Sequence, residues 1–142
     1  MTLVNTRAAL EKAVTDSVQN TDPSVILSYD NVAFTKPGQT QKYITINIIF
    51  NTSTLQLQGA AVDFFVGTIQ CNLFVPKSVG TAIYSDLAGA VIKGLSSVNE
   101  PTYIDTYECK PRTMAINGPI PVELEGSSHY MGIVSCQFSA NA

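Results

Sequence analysis

Charge is scarce in this chain. Of its 142 residues, 13% are Asp, Glu, Lys or Arg, against about 25% in ordinary soluble domains. Disorder is excluded as the reason, because a disordered chain combines low hydrophobicity with high net charge and here 45% of residues are hydrophobic. Ser, Thr, Asn and Gln fill the vacated places. A folded surface with so few charges is weakly defended against association. The chain reads as one that expects neighbours, with a neutral-surfaced monomer as the alternative.

Basic residues are few as well. Eight Lys and Arg stand against eleven acids, for a net charge of −3, and the only close basic pair is Lys110 and Arg112 around Pro111. Gripping nucleic acid by counterion release needs a basic face, so a DNA-gripping role is excluded. Cysteines number three, Cys71, Cys109 and Cys136, an odd count with no CxxC. All three fall in predicted strands, where a free thiol behaves as a small apolar side chain, and the context reads as reducing. Arg7, Glu11, Lys12 and Asp16 interrupt the first twenty residues, so no signal-peptide core is expected. No apolar run approaches the roughly 20 residues of a membrane span.

Reaction chemistry is equally thin. His129 is the only histidine; Ser127 and Ser128 adjoin it in sequence rather than through a fold, no GxSxG occurs, and the residue reads as a surface-turn histidine. Gly89–Ser96, GAVIKGLS, imitates a phosphate loop but has Leu95 where the lysine belongs, and it lies inside a helical pattern. The triplet Asn51-Thr52-Ser53 fits a glycosylation acceptor in a chain with no secretory signal. Glu123 and Glu125 are the only close acids, on one face of a predicted edge strand, and read as a solvated face. No catalytic, metal or cofactor-binding residue is expected.

What the sequence does contain is a strand–turn–helix unit at Val66–Leu95. From Gly67 to Val75, Ile69, Cys71, Leu73 and Val75 alternate with Thr68, Gln70, Asn72 and Phe74, the period of a half-buried strand. Pro76 ends it. After the turn Lys77–Gly80, Ile83, Leu87, Val91 and Leu95 recur at helical spacing, with Ser78 or Thr81 to cap the start. Before this unit, Leu3, Leu10, Val14 and Val18 predict a helix over 3–18, stopped by Asn20-Thr21-Asp22-Pro23. Val25–Phe34 predicts a strand broken at Asp30-Asn31, and Tyr43–Phe50 a strand with Ile44, Ile46, Ile48 and Phe50 on one face.

After the helix, Tyr103–Cys109 predicts a strand. Asn117-Gly118-Pro119-Ile120-Pro121 predicts a turn region whose prolines exclude a central strand, and Tyr130–Phe138 predicts the closing strand. A length of 142 residues fits one domain, residues 1–142. The predicted order is α-β-β-β-α-β-β, two helices on one face of a mainly antiparallel sheet, an α+β fold.

Between two long strands that should pair as a hairpin lies Asn51–Val62, NTSTLQLQGAAV, longer than the two to five residues of usual hairpin loops. It has no charge, and Leu55 and Leu57 alternate with Gln56 and Gln58. It reads either as a loop tip or as an arm whose exposed edge pairs with another chain; Leu55, Gln56, Leu57 and Gln58 are the subunit-interface candidates.

With these residues in view, the chain resembles the tail terminator proteins of long-tailed bacteriophages. The carrying segments are Arg7–Glu11, Asn31–Thr35 with Pro37, Tyr43–Ile46, Gly67–Pro76, and Gly80 with the helix after it. The resemblance implies a virion protein of the tail or neck, assembled in the host cytoplasm without a membrane. It implies a six-fold homo-oligomeric ring that caps the tail tube, ends tube growth and meets a head-completion or neck protein. DNA would pass through the bore as cargo. The other readings are a neck connector, a tube subunit, or a small ligand-binding domain or enzyme with a deep polar pocket.

Overall fold

The computed structural model describes residues 2–29, 41–54, 64–76, 81–100, 111–122 and 129–141. Two helices, α1 (Thr2–Thr21) and α2 (Thr81–Ser97), accompany five strands: β1 (Ile26–Tyr29), β2 (Tyr43–Thr54), β3 (Phe64–Pro76), β4 (Arg112–Val122) and β5 (His129–Asn141). The strands form one sheet in the order β1-β2-β3-β5-β4. β1 runs parallel to β2, and every other pairing is antiparallel. This is the α+β order expected from the sequence, with both helices on one face.

The alternation that predicted the strands is also what builds the core. Ile44, Ile46 and Ile48 of β2, Ile69, Cys71, Leu73 and Val75 of β3, and Val134, Cys136 and Phe138 of β5 all project from the helix side and are buried. Leu10, Val14 and Val18 of α1 and Leu87, Val91 and Leu95 of α2 close over them. The helices approach closely because the residues at their crossing are small. A Cβ on Gly94 would stand 2.8 Å from the Ala13 carbonyl oxygen, and the Ser17 hydroxyl donates to the Ala90 carbonyl at 2.7 Å.

Where α1 ends, Asp22 ties the helix layer to the sheet. Its carboxylate pairs with the Lys42 ammonium just before β2 and accepts from the Ser24 hydroxyl (2.6 Å) and backbone N–H (3.0 Å). The Lys42 contact, then the Ser24 hydroxyl, lowers the Asp22 pKa from 3.8 to about 2. A carboxylate depressed in the folded state adds stability that is present above its unfolded value and is lost as pH falls through the folded value. Asp22→Asn is therefore expected to lower stability by about 1 kcal/mol at neutral pH, a modest figure because the pair is partly solvated. Denaturant titrations should show the difference from wild type vanishing as pH falls from 3.8 to about 2; a difference constant across that window would remove the ion pair from the account.

Four expectations fall elsewhere. The connection expected over Asn51–Val62 begins later, because residues 51–54 continue β2, with Thr52, Ser53 and Thr54 opposite Val66, Phe65 and Phe64 of β3. The predicted strand Tyr103–Cys109 lies outside the described residues. The segment 117–121 is not a turn but part of β4, an outer strand of the sheet. It pairs with β5 through two register shifts, between Met114 and Ile116 and between Asn117 and Ile120, and it accommodates Pro119 after a cis bond at Gly118. Prolines that a central strand refuses are tolerated at an edge or a bulge. His129 is not on a surface turn either: it opens β5 and is buried.

Candidate functional site

Among the described residues, His129 and the cysteines are built into the packed interior. His129 is 1% exposed; its Nε2 lies 2.8 Å from the Gln41 carbonyl oxygen, and its ring meets Tyr43 edge-on. Burial pushes the Cys71 thiol up to about 12 and raises that of Cys136, so neither is a nucleophile near neutral pH. Among the described residues, no three His, Cys, Asp or Glu side chains gather to hold a metal ion, and no helix is long and apolar enough to cross a membrane. Gly89–Ser96 lies within α2, which agrees with rejecting it as a phosphate loop. Cys109, Glu123, Glu125, Ser127 and Ser128 lie outside the described residues.

What remains is a surface: the sheet face turned away from the helices. Opposed residues in neighbouring strands project from the same face, so the registers define rows across it. One row runs Ile49–Thr68–Gln137–Met114 and the next Asn47–Gln70–Ser135–Asn117. A third runs Ser28–Thr45–Asn72–Ile133–Ile120 and a fourth Ile26–Tyr43–Phe74–Met131–Val122. The middle of the face is hydroxyl and amide. Asn72 donates to Thr45 Oγ1 at 3.1 Å, and Gln70 donates to Asn72 Oδ1 at 2.9 Å. At one end, Tyr43 stacks on Phe74 with centroids 4.4 Å apart.

Two properties set this face apart. The five strands together contain a single Lys, Arg, Asp or Glu, namely Arg112; apart from Lys42, just before β2, the other described charged residues lie on the helices and their flanks, among them Lys12, Asp16, Asp86, Lys93 and Glu100. The large hydrophobic side chains exposed among the described residues, Ile26, Ile49, Met114 and Ile120, all stand at the ends of these rows as the described strands define them. Ile26 and Ile49 mark the β1–β2 side, and Met114 and Ile120 mark β4. A face with neutral polar rows and apolar margins is a ready surface for another protein.

The interface candidates Leu55, Gln56, Leu57 and Gln58 lie outside the described residues, in the connection between β2 and β3. Sequence reasoning passed over Ile49, Met114 and Ile120. The signal for Ile49 was present, since it shares the alternation face of Tyr43, Thr45 and Asn47, whereas Ile120 was hidden by the prolines on either side.

Comparison with known proteins gives three findings. A family model described as phage tail terminator protein matches residues 5–102. No curated protein matches the chain in sequence. A solved structure whose own name states neither function nor organism is similar with a TM-score of 0.70 at 17% identity, covering 99% of this chain and 96% of that one. At that identity the likeness shows a common fold.

Proposed function

Because the chain belongs to the phage tail terminator family, a family of structural tail proteins, we propose that it forms a ring that caps the tail tube, ends tube polymerisation and provides the joint to the head or neck. The observation that carries this reading is the sheet face with one charged residue in five strands. It suits contact with further copies, and it suits the passage of DNA, since fixed cations around a bore would hold phosphates and slow transit. Closing a ring uses up the surfaces that a lengthening tube would otherwise recruit.

The ring is six-fold in this reading, its partners are the tube protein on one side and a head-completion or neck protein on the other, and no cofactor or catalytic residue takes part. The arm Leu55, Gln56, Leu57 and Gln58 reaches from one copy to the next. It is uncharged, and it lies in the connection between the paired strands β2 and β3.

Electron microscopy of the concentrated protein, alone and mixed with tail tubes, tests the proposal. Rings alone and capped ends on tubes are expected, with tube growth halted on addition of the protein, and a Leu55→Ser/Leu57→Ser variant should form fewer rings. A protein that stays monomeric and leaves tubes growing would overturn the reading; full ring formation by the double variant would remove only the arm.

A further inference from the structure

We infer that β4 opens from the sheet as a unit, independently of the rest of the fold, and that Asn99 is the latch that holds it shut. Asn99 follows the last turn of α2, and its side-chain amide meets β4 at Thr113. The Thr113 N–H donates to Asn99 Oδ1 at 3.0 Å, and Asn99 Nδ2 donates to the Thr113 carbonyl and hydroxyl oxygens, both at 2.9 Å. Thr113 stands opposite Phe138 of β5, yet both of its backbone groups turn outward to Asn99. One side chain thus fills the place of a neighbouring strand at the outer edge. The Thr113 hydroxyl extends the contact by donating to the Leu95 carbonyl at 2.5 Å, one of the last-turn carbonyls of α2 that no further helical N–H can satisfy.

Among the described residues, little else fastens this strand to the helix layer. Thr113 is the one buried residue of β4, with Arg112 and Met114 exposed on either side of it, and Ile116 packs half-buried against the core. The ladder to β5 is broken by two register shifts, and Pro119 and Pro121 have no N–H to contribute. Ala115 holds a φ of 48°, a left-handed conformation that is costly for an L side chain. A segment with few buried groups and an interrupted ladder opens at lower free energy than the core beside it. β5 is the contrast, because Val134, Cys136, Phe138 and Ala140 are at most 1% exposed and β3 pairs with it from Phe64 to Pro76. Opening of β4 therefore leaves β5 in place and bares its outer edge, a strand with no proline and no Lys, Arg, Asp or Glu. It also uncovers Cys136, whose thiol donates to the Met114 carbonyl at 3.2 Å. Cys71 stays covered, on β3 between β2 and β5.

Thiol labelling of the folded protein, mapped by mass spectrometry to each cysteine, tests this. Cys136 should react at least roughly tenfold faster than Cys71, and its rate should rise much less steeply with urea, because opening one strand exposes little surface. Asn99→Ala should raise the Cys136 rate at least roughly tenfold, the scale of the hydrogen bonds lost. Asp22→Asn should speed Cys71, which waits on global unfolding, and leave Cys136 unchanged, because the Asp22–Lys42 pair survives the opening of β4. Equal rates and urea slopes at the two cysteines, or an Asp22→Asn effect of the same size at both, would overturn the independent strand. A Cys136 rate indifferent to Asn99→Ala would overturn the latch.

Discussion

Phe138→Ala is expected to cost about 3–5 kcal/mol, the range for truncating a fully buried aromatic. The ring is 0% exposed and meets Phe50 edge-on with centroids 5.6 Å apart. It lies on β5 opposite Gly67 of β3 and Thr113 of β4. Removing it opens a void where three strands meet under the helix layer, and the neighbours are held by sheet pairing on both sides, so collapse into the void is limited. For a chain of this length the melting midpoint should fall by about 10 °C or more. A loss below about 1 kcal/mol in equilibrium denaturation would mean that the site repacks, contrary to the packing described.

Gly67→Ala is expected to destabilise by about 2–4 kcal/mol through the opposite fault, overpacking. A Cβ there would collide with the Ile49 carbonyl oxygen and stand 2.7 Å from the tip of the Phe138 ring. The carbonyl belongs to the backbone of β2, immediately before the register shift between Phe50 and Thr52, so relief requires the β2–β3 pairing to move. Combined with Phe138→Ala, the glycine substitution should cost less than alone, because the ring half of the collision is gone. It should still cost something, because the carbonyl half remains. A double-mutant cycle with coupling of about 1 kcal/mol is the expected readout; strict additivity would show that the ring and the glycine do not share this space.

The core was legible because its periods are clean. The spacing of Leu87, Val91 and Leu95 and the alternation through Ile69, Cys71, Leu73 and Val75 assign both helix and strand, and the structure buries each of these residues. β4 was not legible: a bulged outer strand has no regular period, and Pro119 and Pro121 look like turn residues until the β5 partner is seen. His129 was misread because nothing in its local sequence announces Tyr43 or the Gln41 carbonyl, which reach it from 86 and 88 positions away. The functional face was half legible. The poverty of charge pointed to partners, but only the registers show that the exposed hydrophobic residues stand at row ends and that the strands hold one charge among them.

That separation of charge between the two layers gives ionic strength a diagnostic use. Added salt screens Lys12, Asp16, Asp86, Lys93 and Glu100 on the helix side, and so weakens whatever docks there by electrostatic attraction. On the described strands it finds only Arg112 to screen, and sulfate or phosphate strengthens apolar burial. A partner held by the described strand residues is therefore expected to persist at high salt, and one docked on the charged helix residues to dissociate.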